Sequence, residues 1–356
     1  MPKKSFLALA ALVLILVLAL VLAPAPIDPA AYRPAPGRPL AGALAPNHDL
    51  LAAELLAVGE VHGPEDVAVD ADGRIYAGTE DGRIVRLVPA GDGHRAETFA
   101  ETGGRPLGLH FDAAGNLLVA DALRGLLRID AEGKVETLVT GTAGLPFGFT
   151  DDLDVAADGR IYFSDASSRF GPDEYLEDVL EARPHGRLLR HDPATGGTEV
   201  LLDGLYFANG VALSENEDFV LVNETYRYRI TRYWLAGPRA GTSEVFLDRL
   251  PGFPDGVSAN RRGTFWVALF TVRNPTLDRL HPRPFLKGLL SKLPRSLWPR
   301  PQPYGLVLAL DEEGRVRRSL HDPGGERVRE TTSAEEAGGF LYLGTLNRDR
   351  IARLAL

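Results

Sequence analysis

The sequence contains no cysteine. Disulfides therefore cannot hold the fold, and thiol nucleophiles and thiolate zinc sites are excluded. A chain of 356 residues with 45% hydrophobic composition can do without them, because its core can be large. A basic excess is also missing: 39 Lys and Arg stand against 48 Asp and Glu, a net charge of −9. A phosphate-binding surface would show the opposite balance, so no nucleic-acid partner is expected. No G-x-S-x-G elbow occurs, which disfavours a serine hydrolase. The 38 Gly and 26 Pro make the chain rich in turns without making it low in complexity.

The N-terminus carries the clearest local signal. Lys3, Lys4 and Ser5 precede an uncharged apolar run over 6–25. As a helix this run is long enough to span a hydrocarbon core of about 30 Å. The two lysines favour a cytoplasmic N-terminus and an extracytoplasmic remainder, periplasmic or lumenal. The alternative is a cleaved signal peptide, whose apolar region is shorter, about 7–15 residues. A single-pass anchor over 1–25 is expected. Residues 26–47 are studded with proline and read as an extended, semi-rigid linker.

From residue 48 to the end one pattern repeats: a short apolar strand, a D-x-x-G-like turn and a second apolar strand. The copies are DVAVDADGRIYAG, GLHFDAAGNLLVA, DLDVAADGRIYFS, GVALSENEDFVLV, GVSANRRGTFWVA and a degraded TSAEEAGGFLYLG. Their turns fall at Gly73, Gly115, Gly159, Glu217, Gly263 and Gly339, spaced by 42, 44, 58, 46 and 76 residues. Four-stranded units of about 40–50 residues are the size of propeller blades. The expected fold is an all-β, six-bladed β-propeller behind an N-terminal transmembrane helix. The last copy lacks a fourth strand, which the segment after residue 50 is expected to supply, closing the ring and removing an open edge. Two inserts, 167–187 in blade three and 271–304 in blade five, should lie on one face of the disc.

The residues read as preceding each inner strand are Glu65, Leu107, Asp151, Asn209, Asp255 and Thr331. Sixfold geometry gathers these positions around the axis. Glu65, Asp151, Asn209 and Asp255 offer side-chain oxygen, and clustered carboxylates repel unless protonated or neutralised by a cation. All-oxygen ligation suits Ca2+, with Mg2+ and Mn2+ as alternatives. Taken singly, Asp and Asn are also common turn residues.

Several long motifs carry a family resemblance: GPEDVAV, GRPLGLHFDAAGNLLVADALRGLL, DDLDVAADGRIYFSDASSRF, LDGLYFANGVALSENEDFVLVNET and LPGFPDGVSAN. The chain resembles the strictosidine synthase-like branch of six-bladed propellers, in particular its N-terminally anchored members. Wider relatives are the paraoxonases and the gluconolactonase and regucalcin proteins, Ca2+-dependent hydrolases of lactones and esters. The resemblance implies metal ligands at Glu65, Asp151 (an Asn in relatives), Asn209 and Asp255. It matches Arg105 to an arginine of gluconolactonase-type enzymes. It also shows departures. Leu107 stands where paraoxonases have His and gluconolactonases Asn. Thr332 stands where strictosidine synthase has its Glu, so amine–aldehyde condensation is disfavoured.

The expected activity is Ca2+-dependent hydrolysis of a small apolar ester or lactone at the channel mouth. Asp255 or Asp151 would activate water, and Arg105 would either orient an acidic or phosphorylated substrate or form a structural salt bridge. The alternative is a non-catalytic propeller that binds a partner or ligand around a structural ion. His62 reads as a surface-loop residue and His110 as a structural one. Within 273–300, seven Lys and Arg interleave with apolar residues against a single acid, Asp278. Such a segment suits either an anionic membrane surface or a lid over the mouth.

Overall fold

Each repeat folds around its turn. Asp70 Oδ1 accepts from the amides of Asp72 and Arg74, and Gly73 N donates to Asp70 O at 3.0 Å. Asp112 does the same for Ala114, Asn116 and Gly115. Gly73 adopts a φ of +77°, which a residue with a Cβ resists. These turns join the first two strands of separate blades.

The computed structural model describes residues 6–8, 11, 14, 18, 20–91 and 93–356. It contains six four-stranded antiparallel sheets arranged as propeller blades. From the axis outward, blade one is Val67–Val69, Ile75–Gly78, Arg83–Ala90 and Gly93–Glu101. The inner strands of blades two to six are Pro106–Phe111, Thr150–Val155, Ala208–Leu213, Gly252–Ala259 and Thr331–Ala337. Blade six is completed by Glu54–Leu56, which pairs antiparallel with Ile351–Ala355. Arg353 ties the seam to Glu54 at 2.5 Å. The closing strand completes the four strands of blade six, so Ile351–Ala355 is not left as an unpaired edge. Apolar residues between the blades supply the core, with Phe163, Tyr228 and Phe265 almost wholly buried.

Eight of the twenty residues in the apolar run over 6–25 expected as an anchor lie outside the described residues. Among the described residues, no helix is long and apolar enough to cross a membrane.

The proline-rich segment is not a free spacer. It lies across the two inserts, which fold as a turn and helix (Pro172–Glu174, Tyr175–Glu181) and as two helices (Pro275–Leu280, Pro284–Leu290). Ala30 N donates to Glu181 O at 2.8 Å and Tyr32 N to His281 O at 3.1 Å. Asp28 N donates to Glu181 Oε2, and Arg183 grips Asp28 at 2.7 Å. The Tyr32 ring stacks 3.6 Å from the Arg227 guanidinium. Further on, Asn47 bonds Ser319 and His321 on the outer strand of blade five. Proline restricted the reading to an extended chain. The partners of its remaining amides and side chains are supplied by residues more than a hundred positions away.

Candidate functional site

The inner strands are irregular where they meet the mouth. Register shifts fall between Pro106 and Leu109, Thr150 and Leu153, Ala208 and Val211, Pro254 and Val257, and Thr331 and Ala334. Bulges of this kind re-aim side chains beside functional sites. The first residues within them are Leu107, Asp151, Asn209, Asp255 and Thr332, and Glu65 takes the corresponding place ahead of Val67. Except for Glu65, these residues therefore lie inside the strands rather than before them. The sixth member of the ring is Thr332, not Thr331. Thr332 lines the mouth, and its hydroxyl donates to Glu65 O at 2.5 Å.

The second residue of each bulge faces the neighbouring blade. Asp66 Oδ2 accepts from Leu109 N of blade two at 2.8 Å. Asp152 Oδ2 accepts from Val211 N of blade four at 2.8 Å. In blades two, four and five the same position is glycine. A Cβ on Gly210 would come within 2.3 Å of Val257 N, so only glycine admits the next inner strand. Each doublet thus divides its work: one residue faces the mouth and the next links the blades.

Acids at the ends of the second strands hold the loops that enter these bulges. Asp121 Oδ1 accepts from Arg105 N (2.9 Å), Leu123 N and Arg124 N. Asp165 Oδ1 accepts from Gly148 N and Phe149 N, and its other oxygen takes Arg187 at 2.5 Å. Glu224 accepts from Tyr206 N and binds Arg229 at 2.6 Å. Sequence reasoning missed these acids. The signal was present as D or E closing the second apolar run of blades two, three and four.

Glu65, Asp151, Asn209 and Asp255 come together on the floor of a cavity of about 440 Å3. Leu107, Phe149, Phe207 and Phe253 form apolar walls, and the inserts contribute Tyr175, Val179, Leu277 and Trp298. Arg105 also lines it, buried, with Nη1 donating to Gly63 O at 2.9 Å. Below the floor a narrow channel of about 40 Å3 is lined by Asp66, Asp152, Asp154, His110 and Glu335. His110 therefore faces the channel, 3.7 Å from Asp154, while His62 is exposed and lines neither space.

The electrostatics of the floor are those of crowded carboxyls. Burial raises Glu65 well above the ordinary carboxylate range, and Asp255 and Asp151 push it further. Asp151 is raised by burial and then by Asp255 and Asp152. Burial carries Asp255 to about 7, against the opposing hydrogen bond from Asn209 Nδ2 at 2.7 Å. Burial also lowers Arg105, which lines the cavity beside Glu65 and Asp151, so this cation is itself poorly solvated. Three carboxyls and an amide carbonyl, all oxygen donors, match the preferences of a hard divalent cation. Behind the floor, the Asn223 amide donates to Asp255 O at 2.6 Å, and its own buried side-chain oxygen has no hydrogen-bond partner. No group of three or more His, Asp or Glu side chains among the described residues is already arranged to hold an ion. The donor chemistry fits; the side chains are not drawn together around a ligand.

Residues 151–238 match the strictosidine synthase family model, and residues 42–87 match the model for the strictosidine synthase-like N-terminal region. The adipocyte plasma membrane-associated protein of Rattus norvegicus is 38% identical, covering 93% of both chains. The human protein of that name is 39% identical over 93% of this chain and 84% of its own. Strictosidine synthase-like protein 13 of Arabidopsis thaliana is 36% identical over 83% of this chain and 79% of its own. Among solved structures, a gluconolactonase of Xanthomonas campestris superposes with a TM-score of 0.63 at 21% identity, covering 94% of this chain and 99% of that one. A calcium-binding regucalcin of Agrobacterium tumefaciens superposes with a TM-score of 0.57 at 16% identity, over 85% of this chain and 90% of that one. These two establish the propeller fold and nothing finer. By sequence and by blade architecture, the chain belongs to the strictosidine synthase-like family of six-bladed propellers, alongside the adipocyte plasma membrane-associated proteins.

Proposed function

We propose that this protein is a membrane-anchored, divalent-cation-dependent hydrolase of apolar esters or lactones that works at the propeller mouth. One observation carries the reading: three buried carboxyls and an amide line the floor of one large, mainly apolar cavity. Repulsion among them is relieved by a cation, with Ca2+ preferred on ligand hardness and Mg2+ or Mn2+ as alternatives. Glu65, Asp151, Asn209 and Asp255 would hold it. When bound, the ion supplies polarisation of the substrate carbonyl. Asp255 or Asp151 takes the proton of the attacking water, and Arg105 orients an acidic group on the substrate. The apolar walls bind the substrate's hydrocarbon part and exclude bulk water.

Leu107 and Thr332 favour a second reading. Neither can transfer a proton as readily as the His or Glu that relatives carry there. A propeller that binds a ligand or partner around a structural ion uses the same floor without turnover. Thr332 also leaves strictosidine-type condensation without its acid.

The apolar run over 6–25 is proposed as the anchor, with the propeller on the extracytoplasmic side. Relatives named for plasma-membrane association support this reading. Intact-mass measurement of the membrane fraction separates a retained anchor from a cleaved signal.

The decisive experiment measures ester and lactone hydrolysis with and without chelator, for the wild type and for Asp255→Ala. Turnover that chelator and the substitution both abolish supports the enzyme. Cation binding without turnover on any substrate, lost in Asp255→Ala, selects the non-catalytic reading.

A further inference from the structure

The helix Pro284–Leu290 packs Leu290 against the core, but over 285–288 it is built inside out. Lys287 is 0% exposed and Gly288 is buried, whereas Phe285 is 65% and Leu286 is 43% exposed. Lys287 Nζ donates to Ala30 O at 2.6 Å and lies 3.4 Å from Glu181 O, so the buried lysine fastens the N-terminal segment. Gly288 faces the same segment: a Cβ there would sit 3.7 Å from Ala25 and from Pro29. A surface helix in water turns its apolar side inward and its lysines outward. Here the order is reversed, as expected of a helix whose outer face meets an apolar phase.

The surrounding charge identifies that phase. The whole chain carries −9, yet this insert is basic. Arg279 and Arg283 are exposed and flank the Phe285–Leu286 face along the chain. Lys292 Nζ donates to Leu20 O at 2.9 Å and Val21 O at 3.3 Å. The apolar run over 6–25 therefore reaches the propeller at this insert. Leu277 and Trp298, from the same insert, line the cavity.

We propose that Phe285 and Leu286, flanked by Arg279, Arg283 and Lys292, dock on the anionic headgroup surface of a lipid bilayer, with the cavity mouth turned toward the lipid. The proposal rests on the anchor reading above, because the anchor brings this face to the membrane. Apolar residues at the headgroup boundary with basic residues around them form a recognised interfacial arrangement. The buried Lys287 contributes no charge to that surface. Its part is to hold the helix and the segment after the anchor in one orientation.

The absence of cysteine makes the test direct. The full chain bearing Phe285→Cys is labelled with an environment-sensitive fluorophore and reconstituted in phosphatidylcholine vesicles with or without phosphatidylserine. Leu286→Cys serves as a second probe site, in case a label at 285 disturbs the helix. Val245→Cys, on the exposed outer strand of blade four (Ser243–Leu247), is the water-facing control. Docking requires that the probe at 285 or 286 be quenched by lipid-borne quenchers in phosphatidylserine vesicles, while the probe at 245 is not. Arg279→Gln and Arg283→Gln should each lower the docked-to-undocked ratio about fivefold. If the protein floats with vesicles but 285 and 286 stay as wet as 245, docking is wrong and the anchor stands. If both positions leave water yet escape the lipid quencher, a protein covers this face and docking is again wrong. If the full chain does not float, the anchor reading fails and takes docking with it.

Discussion

Asp255→Asn tests the physical basis of the site, because the crowded-carboxyl reading gives it a counterintuitive sign. The substitution keeps the shape and the oxygen that accepts from Asn209, but removes the charge. Burial places the Asp255 carboxyl at about 7, against an ordinary value of 3.8. Its neutral form is therefore the one the folded protein favours. Below pH 4 both folded and unfolded chains are protonated and the residue costs nothing. As pH rises from about 4 to about 7, the unfolded chain releases the proton first, and stability falls. Three pH units correspond to about 4 kcal/mol, fully felt above pH 7. Without divalent cations at pH 8, Asp255→Asn should therefore be more stable than wild type by up to about 4 kcal/mol. At pH 4 the two should be equal. Adding Ca2+ should reverse the order, because the ion stabilises wild type by mass action and has lost a charged ligand in the variant. The assay is denaturant unfolding at both pH values in chelator and in Ca2+. A variant less stable than wild type in chelator at pH 8 would mean that Asp255 is a satisfied structural carboxylate and that the repulsion argument is wrong. Equal stabilisation of both proteins by Ca2+ would place the ion elsewhere.

Two further expectations follow from buried groups near the inserts. Asp178, on the helix Tyr175–Glu181, is buried, and burial raises it to about 7 against the opposing effect of the Ser167 hydroxyl. Asp178→Asn should stabilise the protein above pH 7 and leave it unchanged at pH 4. Unlike Asp255→Asn, it should do so equally with and without Ca2+; any cation dependence there would contradict the assignment of the ring. Tyr32→Ala removes the stacking on Arg227 and the edge contact with His281 at 5.3 Å, a loss of about 1–3 kcal/mol. Hydrogen exchange should rise in both inserts, 175–181 and 275–290, while the blades stay protected. Unchanged exchange in the inserts would show that the N-terminal segment lies on them without holding them.

The repeat was legible because its determinants are local. Each D-x-x-G turn satisfies its own backbone within four residues, and each flanking strand is short and apolar, so blade count could be read without knowing any long-range contact. Closure by the residues after 50 was legible as well, because a last blade short of one strand has one remaining partner. The mouth was legible by residue type and less so by position. The bulges move Asp151, Asn209 and Asp255 inside their strands and exchange Thr331 for Thr332. A bulge arises from how one blade's backbone meets the next, which no single repeat encodes. The acids at Asp121, Asp165 and Glu224 were overlooked because a carboxylate ending an apolar run looks like an ordinary strand end until the loop amides it binds are known.

The sequence by itself determined the propeller, its seam and the oxygen-rich composition of the mouth, because turn chemistry and strand periodicity act over a few residues and recur six times. Only the tertiary structure decided which member of each doublet faces the cavity, that the proline-rich segment straps the two inserts, and that Pro284–Leu290 buries its lysine while exposing Phe285 and Leu286. Those outcomes depend on contacts such as Lys287 with Ala30 and Asp152 with Val211, whose partners lie far apart along the chain. Local pattern can say that a helix has two faces. The neighbour it packs against decides which of them is turned inward.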